Sequence, residues 1–307
     1  MMRRKHDTCY MILAAKNKYL MGLLFTAGLT YLLSRVFSGN FILPQVFFIG
    51  PLTIHYYGLT MALAVGSGFY LALKRADSFG VNKSSAEDLL FWVIIGGFIG
   101  ARFYHVLSSF EYYLQHPIDI FKVWNGGLSI YGALLGGLFV IWFFADKILH
   151  HKSRILNLLD WLTPSLLLGQ IIGRFGNLFN YEAYGYPTNM PWKMFVPEQF
   201  RPEIFANVSY FHPFFLYEVF GNIVILFLLL YLSGYWPGKT GIFTKNGALF
   251  FSYVLLYNSL RFCLEFLRID SVFIGVFRLN AISSLVLVLL TAGGFFALNY
   301  KCSKDTN

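Results

Sequence analysis

The amino-acid sequence predicts an all-α integral membrane protein with about eight transmembrane helices, and three observations carry that prediction. Of 307 residues, 57% are hydrophobic and only 13% charged, with a mean hydropathy of +0.57. Soluble domains usually carry about a quarter charged residues. Apolar runs long enough to cross a bilayer, roughly 17–25 residues each, recur eight times. Finally, the 24 Lys and Arg residues, against 15 Asp and Glu, fall in short patches between those runs. A nucleic-acid partner would call for a clustered basic face; these patches suit membrane topology instead.

The spans are placed near 19–37, 57–73, 89–108, 128–145, 155–173, 214–232, 248–267 and 280–298. Several contain glycine, which membrane helices tolerate better than soluble ones. The first follows "MMRRK", so a signal peptide is an alternative there. Its length and the absence of a clear small-x-small cleavage site favour a retained helix. The cysteines, Cys9, Cys263 and Cys302, show no metal or redox spacing.

Orientation follows from the lysine and arginine bias. With the N-terminus inside and eight alternating spans, the inside holds fifteen of the 24 basic residues, from Arg3, Arg4 and Lys5 to Lys301 and Lys304. Both termini are then cytoplasmic, and the longest loop, about 174–213, faces outward. This places "IIGRFGNLFNYEAYG" (171–185) at the outer end of the fifth span. Two more helices running the same way carry arginines: "GGFIGARFYHVL" brings Arg102 to the third span, and "LLYNSLRFCLEFLR" brings Arg261 to the seventh. The prediction is that these arginines share one depth.

An ionised side chain at membrane depth costs several kcal/mol, so it normally faces protein and has a partner. Arg174 and Arg261 can grip phosphate with a planar fork. Tyr257, Arg261 and Glu265 are spaced i, i+4, i+8 and share a helical face. Glu265 can fix the Arg261 rotamer, or the two can simply form a structural ion pair. Gly173 and Gly176 flank Arg174 and permit close backbone approach or positive φ. Asn177 and Asn180 orient polar groups without adding charge, and Glu182 can neutralise an arginine or accept a proton. A polar turn capping the helix explains one Asn and one Gly, but not an arginine, two amides and a carboxylate together.

Other segments carry weaker signals. "IHYYGL" (54–59) opens the second span with Tyr56 and Tyr57, as an aromatic interfacial belt also would. "WNGGLSIYGALLGG" (124–137) places Tyr131 in the first turns of the fourth span, and "FHPFFLYE" (211–218) offers His212 and Glu218 at the start of the sixth, where either can merely anchor the helix. No phosphate loop, zinc spacing or Gly-x-Ser-x-Gly occurs. The expected chemistry therefore uses no cofactor, metal or covalent serine. It rests on stabilising charge at an anionic phospholipid.

These residues resemble the bacterial prolipoprotein diacylglyceryl transferase family from about residue 46 onward. "GPLTIHYYGLTMALA", "GARFYHVL", "VWNGGLSIYGALLGG", "IIGRFGNLFNYEAYG", "HPFFLYE" and "LYNSLRFCLEFLR" stand in the family's order. The pattern G-R-x-G-N-x-x-N-x-E-x-x-G over 173–185 is similar to its defining motif position by position. The resemblance implies a seven-helix core over 46–307, with 1–45 as an extension carrying an additional span. It also implies transfer of a diacylglyceryl group from phosphatidylglycerol to the lipobox cysteine of a preprolipoprotein, with release of glycerol phosphate. The implied locale is the outer face of the bacterial inner membrane.

The family's important positions fall on Tyr57, Arg174, Asn177, Glu182, Gly185, Tyr257, Arg261 and Glu265. With Arg102 added, these form the expected lipid-binding set, with Arg174, Arg261, Glu182 and Tyr131 in the chemistry. Two departures stand out. Tyr131 occupies a position where many members carry histidine, and a phenol is a poorer base than imidazole at neutral pH. The N-terminal extension is the other, and Cys9, after His6, Asp7 and Thr8, does not sit in a lipobox. A transporter with an anion-lined cavity is the rival reading, but no clear inverted repeat is visible.

Overall fold

A computed structural model describes residues 24, 26–148, 154–234 and 246–305. Helix α1 is described over 26–37, so the first predicted span lies partly outside the described residues. A hairpin of β1 (Val46–Ile49) and β2 (Leu52–His55) turns through Gly50, at φ +57, and feeds α2 (Tyr56–Arg75). Then follow α3 (Lys83–Ser108), the short α4 (Phe110–Gln115), α5 (Ile130–Ile148) and α6 (Arg154–Asn180). Helices α7 (Phe214–Leu232), α8 (Ala248–Glu265) and α9 (Leu279–Asp305) complete the bundle. Each long helix from α2 onward falls on a predicted apolar run. Among the described residues, four helices have the length and composition to cross a membrane: α2, α3, α6 from Ile155, and α7. Ile130–Ala145 and Leu279–Phe295 are shorter apolar stretches.

Side-chain volume sets the closest helix pairs. Gly96 and Gly100 on α3 face Gly132 and Gly136 on α5, and a Cβ on any of them would strike backbone or side chain of the other helix. Small residues four apart on both helices let membrane backbones meet closely, where dispersion rather than hydrophobic burial drives association. Helices α2 and α6 use the same device more loosely, with Gly68 against the Ser165 carbonyl and Gly169 against Ala64. At the end of this pair away from Arg174, the Trp161 indole N–H donates to the Ala72 carbonyl at 2.8 Å.

Three apolar clusters order the bundle. One joins α2, α3, α5 and α6 around Trp161 and Leu89, and a second joins α6, α7 and α8 around Leu167, Leu229 and Tyr253. The third lies at the Arg174 end. There the 181–213 segment, tied by β3 (Met194–Phe195) against β4 (Tyr210–Phe211), packs Met194, Val196 and Phe211 over Leu178 and Phe215. Helix α8 is anchored at its start by Asp160 of α6. That carboxylate accepts from the Gly247 and Phe250 amides at 2.6 and 2.8 Å, a negative charge at a helix N-terminus. This fixes the register of α8 against α6, and with it the height of Arg261 relative to Arg174.

Candidate active site

The motif of residues 173–185 is built differently from its sequence expectation. Helix α6 runs on to Asn180 rather than stopping near 173, so Arg174, Asn177 and Asn180 occupy its last two turns. Gly173 and Gly176 stay helical and serve close packing instead of positive φ. A Cβ on Gly176 would lie 2.8 Å from Tyr57 Cδ2, and one on Gly173 would lie 3.4 Å from the Met61 sulfur. The helix ends in a Schellman arrangement: Tyr181 takes the left-handed conformation at φ 52, and the Glu182 amide donates to the Asn177 carbonyl at 3.0 Å. Glycine normally fills such a position, and a tyrosine there costs roughly 1–2 kcal/mol. Its phenol is buried, stacks on Phe200 and accepts from the Leu43 amide at 2.7 Å. Those contacts hold the strained turn that aims Glu182 and Gly185.

Four charges from three helices meet beside this turn. Glu218, on α7 and only 1% exposed, lies between two arginines. Its Oε2 is 2.8 Å from Arg174 Nε, an ion pair whose N–H is not well aligned for a hydrogen bond, and its Oε1 accepts from Arg261 Nη1. Arg261 Nη2 lies 3.6 Å from Glu265 Oε2. The two carboxylates offset the two cations, which lets both arginines sit side by side in a low-dielectric interior. Arg174 keeps 28% of its side chain exposed. Its Nη1 and Nη2 take no protein partner among the described residues, so the fork edge of the guanidinium stays open.

The far side of the cluster is tied to the segment after α8. Glu265 is fully buried, and its Oε1 accepts from Ser271 Oγ at 2.9 Å and Asn280 Nδ2 at 3.1 Å. Arg278 donates to the carbonyls of Glu265 and Arg268, binding the turn between α8 and α9. Arg268 and Asp270 form a two-pronged pair at 2.7 and 2.8 Å. Burial pushes the Asp270 carboxyl up, but the Arg268 hydrogen bond and charge outweigh it and hold it below the usual carboxylate range. Gly185 meets this segment through a bridge to Arg268; its amide donates to the His212 carbonyl at 2.8 Å, and a Cβ there would stand 2.5 Å from the Leu267 carbonyl oxygen. Only glycine fits that crossing of three segments.

The predicted residues divide accordingly. Arg261 meets Glu265 directly and Arg174 through Glu218, and Tyr257 lies one turn before Arg261, within its electrostatic reach. Tyr57 lies against Gly176, within range of Glu182 and Arg174. Asn177 is nearly buried on α6, and Glu182, exposed, accepts from Asn180 Nδ2 at 3.0 Å. Arg102 stands elsewhere. Its guanidinium donates to the carbonyls of Asp119, Ile120, Gly126 and Gly127 and lies over the Tyr113 ring, gathering the 117–127 segment. Tyr131 is 61% exposed in the first turn of α5, 6.1 Å from the Tyr104 ring. His212 Nδ1 contacts Tyr217 Oη at 2.9 Å, and that phenol also accepts from Trp192 Nε1 at 2.8 Å.

Sequence reasoning offered Glu218 at the start of the sixth span, as a functional group or a mere helix anchor, and missed it as the acid shared by both arginines. The one signal was a carboxylate inside an apolar helix, which implies a partner but not which one. Ser271, Asn280 and Arg278 carried no signal, since they come together only through the turn between α8 and α9. Among the described residues, no three His, Cys, Asp or Glu side chains converge as metal ligands.

A polytopic membrane protein that holds two arginines together at one end of its bundle, one of them with its fork open, suits the class that handles anionic lipids within the bilayer. The comparisons narrow this class. The family description "Prolipoprotein diacylglyceryl transferase" matches residues 44–297, and the chain belongs to that family. It is 39% identical over 277 residues to the phosphatidylglycerol–prolipoprotein diacylglyceryl transferase of Thermotoga maritima, covering 90% of this chain and 92% of that one. The proteins of the same name from Synechocystis and Acaryochloris marina are 38% and 39% identical. Those alignments cover 86% and 79% of this chain and 92% and 86% of theirs.

Proposed function

We infer that this chain transfers the diacylglyceryl group of phosphatidylglycerol to the lipobox cysteine thiol of a preprolipoprotein, the first step of lipoprotein maturation. The observation that carries this reading is the open fork of Arg174, tethered through Nε beside Arg261. In the reaction the thiolate attacks the diacylglyceryl carbon bonded to the phosphate oxygen. The carbon–sulfur bond forms as the carbon–oxygen bond breaks, and glycerol phosphate leaves with the bonding pair. Negative charge grows on the leaving phosphate, where preorganised cations lower the barrier most. A thiol with a pKa of about 8.5 is only a few per cent thiolate at neutrality. Its proton passes to Glu182, or to the leaving phosphate itself.

Tyr57, Asn177 and Tyr257 line the lipid headgroup, and Glu218 and Glu265 orient the arginines. Arg102, proposed from sequence as a lipid contact, acts on the lipid through the 117–127 segment it gathers. The protein sits in the bacterial inner membrane with about eight spans and 1–45 as an extension to the 46–307 transferase domain; both termini are cytoplasmic, an orientation the basic-residue bias supports. Purified protein incubated with phosphatidylglycerol and a lipobox peptide is expected to add one diacylglyceryl mass to the cysteine, and an unmodified peptide refutes the activity. In intact cells of a variant lacking native cysteines, an impermeant thiol reagent should label Asn189→Cys and not Asn82→Cys. The reverse pattern refutes the orientation.

A further inference from the structure

One helical turn from the ion cluster, toward the middle of the bundle, three helices each carry a polar side chain. Gln170 precedes Arg174 by four residues on α6, Asn222 follows Glu218 by four on α7, and Tyr257 precedes Arg261 by four on α8. Residues four apart share a helical face. Helices α6 and α8 end at the cluster whereas α7 begins there, so all three residues lie on its inner side. Gln170 Nε2 donates to Tyr253 Oη at 2.7 Å, and Tyr253 stacks on Tyr257 with ring centroids 5.6 Å apart. The remaining amide groups of this layer are unpaired among the described residues. Asn222 is 1% exposed, and neither its Oδ1 nor its Nδ2 finds a partner among the described residues; Gln170 Oε1 is buried and unpaired as well. Directly above, Glu218 Oε2 accepts no aligned hydrogen bond.

An amide whose donor and acceptor both lie orphaned on α7, where Val219 and Ile225 are buried with it, is strongly unfavourable. Buried water settles where two to four such groups converge. The complementarity is complete here: Asn222 Nδ2 can donate to a water oxygen, and the water hydrogens can serve Gln170 Oε1 and either Asn222 Oδ1 or Glu218 Oε2. We propose that Asn222 and Gln170 hold ordered water beneath Glu218, and that this hydrated layer positions the carboxylate joining Arg174 to Arg261. Asn222 is then a positioning residue. It touches no substrate, and its effect on transfer, which rests on the function proposed above, runs through Glu218.

The test compares Asn222→Leu, Gln170→Leu, their double variant and Asn222→Ser in the purified full-length protein, reading thermal midpoint and transfer kinetics. Asn222→Leu is expected to lower the midpoint by about 2–4 °C and kcat roughly tenfold, with KM for phosphatidylglycerol little changed. The double variant should fall no further than the worse single one, because either change releases the shared water. Asn222→Ser keeps a donor and an acceptor and leaves room for a second water, so it should recover most of both losses. A midpoint unchanged or raised in Asn222→Leu, the result for a dry unpaired amide, overturns the proposal, as do strictly additive single effects. Should the leucine variants not fold, a high-resolution density map of the unaltered protein decides: solvent density within hydrogen-bond distance of the Asn222 amide supports it and a dry site refutes it. The stability and density arms need no transfer activity, so hydration and the catalytic reading fail separately.

Discussion

Glu218 Oε2 and Arg174 Nε face each other across α7 and α6 at 2.8 Å, while the other oxygen of the same carboxylate holds Arg261. One buried acid thus sets the spacing of both cations. Glu218→Gln keeps the shape and removes the charge, leaving Arg261 and the half-buried Arg174 against Glu265 alone. Removing one partner of a buried pair costs about 3–5 kcal/mol, so the thermal midpoint should drop markedly. In the folded fraction, transfer should fall at least about tenfold, near 1.4 kcal/mol of barrier. A Glu218→Gln protein with unaltered midpoint and turnover would show that the pair is decorative.

The two arginines differ in how much guanidinium they have left to offer. Arg174 spends only Nε on protein, whereas Arg261 commits both terminal nitrogens, to Glu218 and Glu265. Lysine keeps a charge at either site but loses the fork. At position 174 that loss falls on the ligand, so Arg174→Lys should fold normally and lose transfer about tenfold or more. At position 261 it falls on the protein as well, so Arg261→Lys should lose both transfer and midpoint. Equal stability losses in the two variants, measured by thermal unfolding in detergent, would contradict this division.

Two glycines of the motif make a graded stereochemical test. An alanine Cβ at Gly185 meets the Leu267 carbonyl oxygen at 2.5 Å and His212 Cβ at 3.1 Å, and backbone cannot swing aside. Overpacking of this kind costs typically 1–3 kcal/mol, and it also pries the turn after α8 away from the motif. At Gly176 the obstacle is the Tyr57 ring at 2.8 Å, which can rotate, and alanine returns about 1 kcal/mol of helix propensity. Gly185→Ala should therefore lose folded yield along with transfer. Gly176→Ala should keep its yield while transfer declines several-fold as Tyr57 moves. The opposite ranking in yield would mean the crossing at Gly185 is looser than described.

These cases show which parts of the molecule were legible in the sequence. Hydropathy located the long helices, because apolar length is what a bilayer demands, and the motif of residues 173–185 marked the site. The end of α6 was misplaced because glycines and amides normally signal a turn. Here Gly173 and Gly176 face Met61 and Tyr57 and stay helical, a choice decided by a partner helix more than a hundred residues away. The Glu218 link was hidden for the same reason. Its place between Arg174 and Arg261 exists only once α6, α7 and α8 have packed together, with Asp160 holding α8 against α6. Arg102 looked like the other two arginines in sequence, yet its carbonyl partners lie 17–25 residues further along in an irregular segment that no periodicity announces.

Tyr131 lies in the first turn of α5, and its surroundings argue for positioning rather than proton abstraction. The hydroxyl has no protein partner among the described residues, the side chain is 61% exposed, and no cation or imidazole is paired with it. A phenol O–H left without a protein acceptor serves a reaction best as a hydrogen-bond donor to the lipid headgroup or the leaving oxygen. Tyr131→Phe removes that donor and keeps the ring contact with Tyr104. Transfer should fall several-fold, with the thermal midpoint intact and the acidic limb of the pH–rate profile unmoved. Tyr131→His should retain measurable transfer, because imidazole can donate the same bond. If the phenol were the base, its loss would also abolish a rise in rate at high pH, provided chemistry limits turnover. Profiles of the unaltered protein and Tyr131→Phe, taken with one lipobox peptide, separate the two roles, and full activity in Tyr131→Phe would remove the hydroxyl from the reaction altogether.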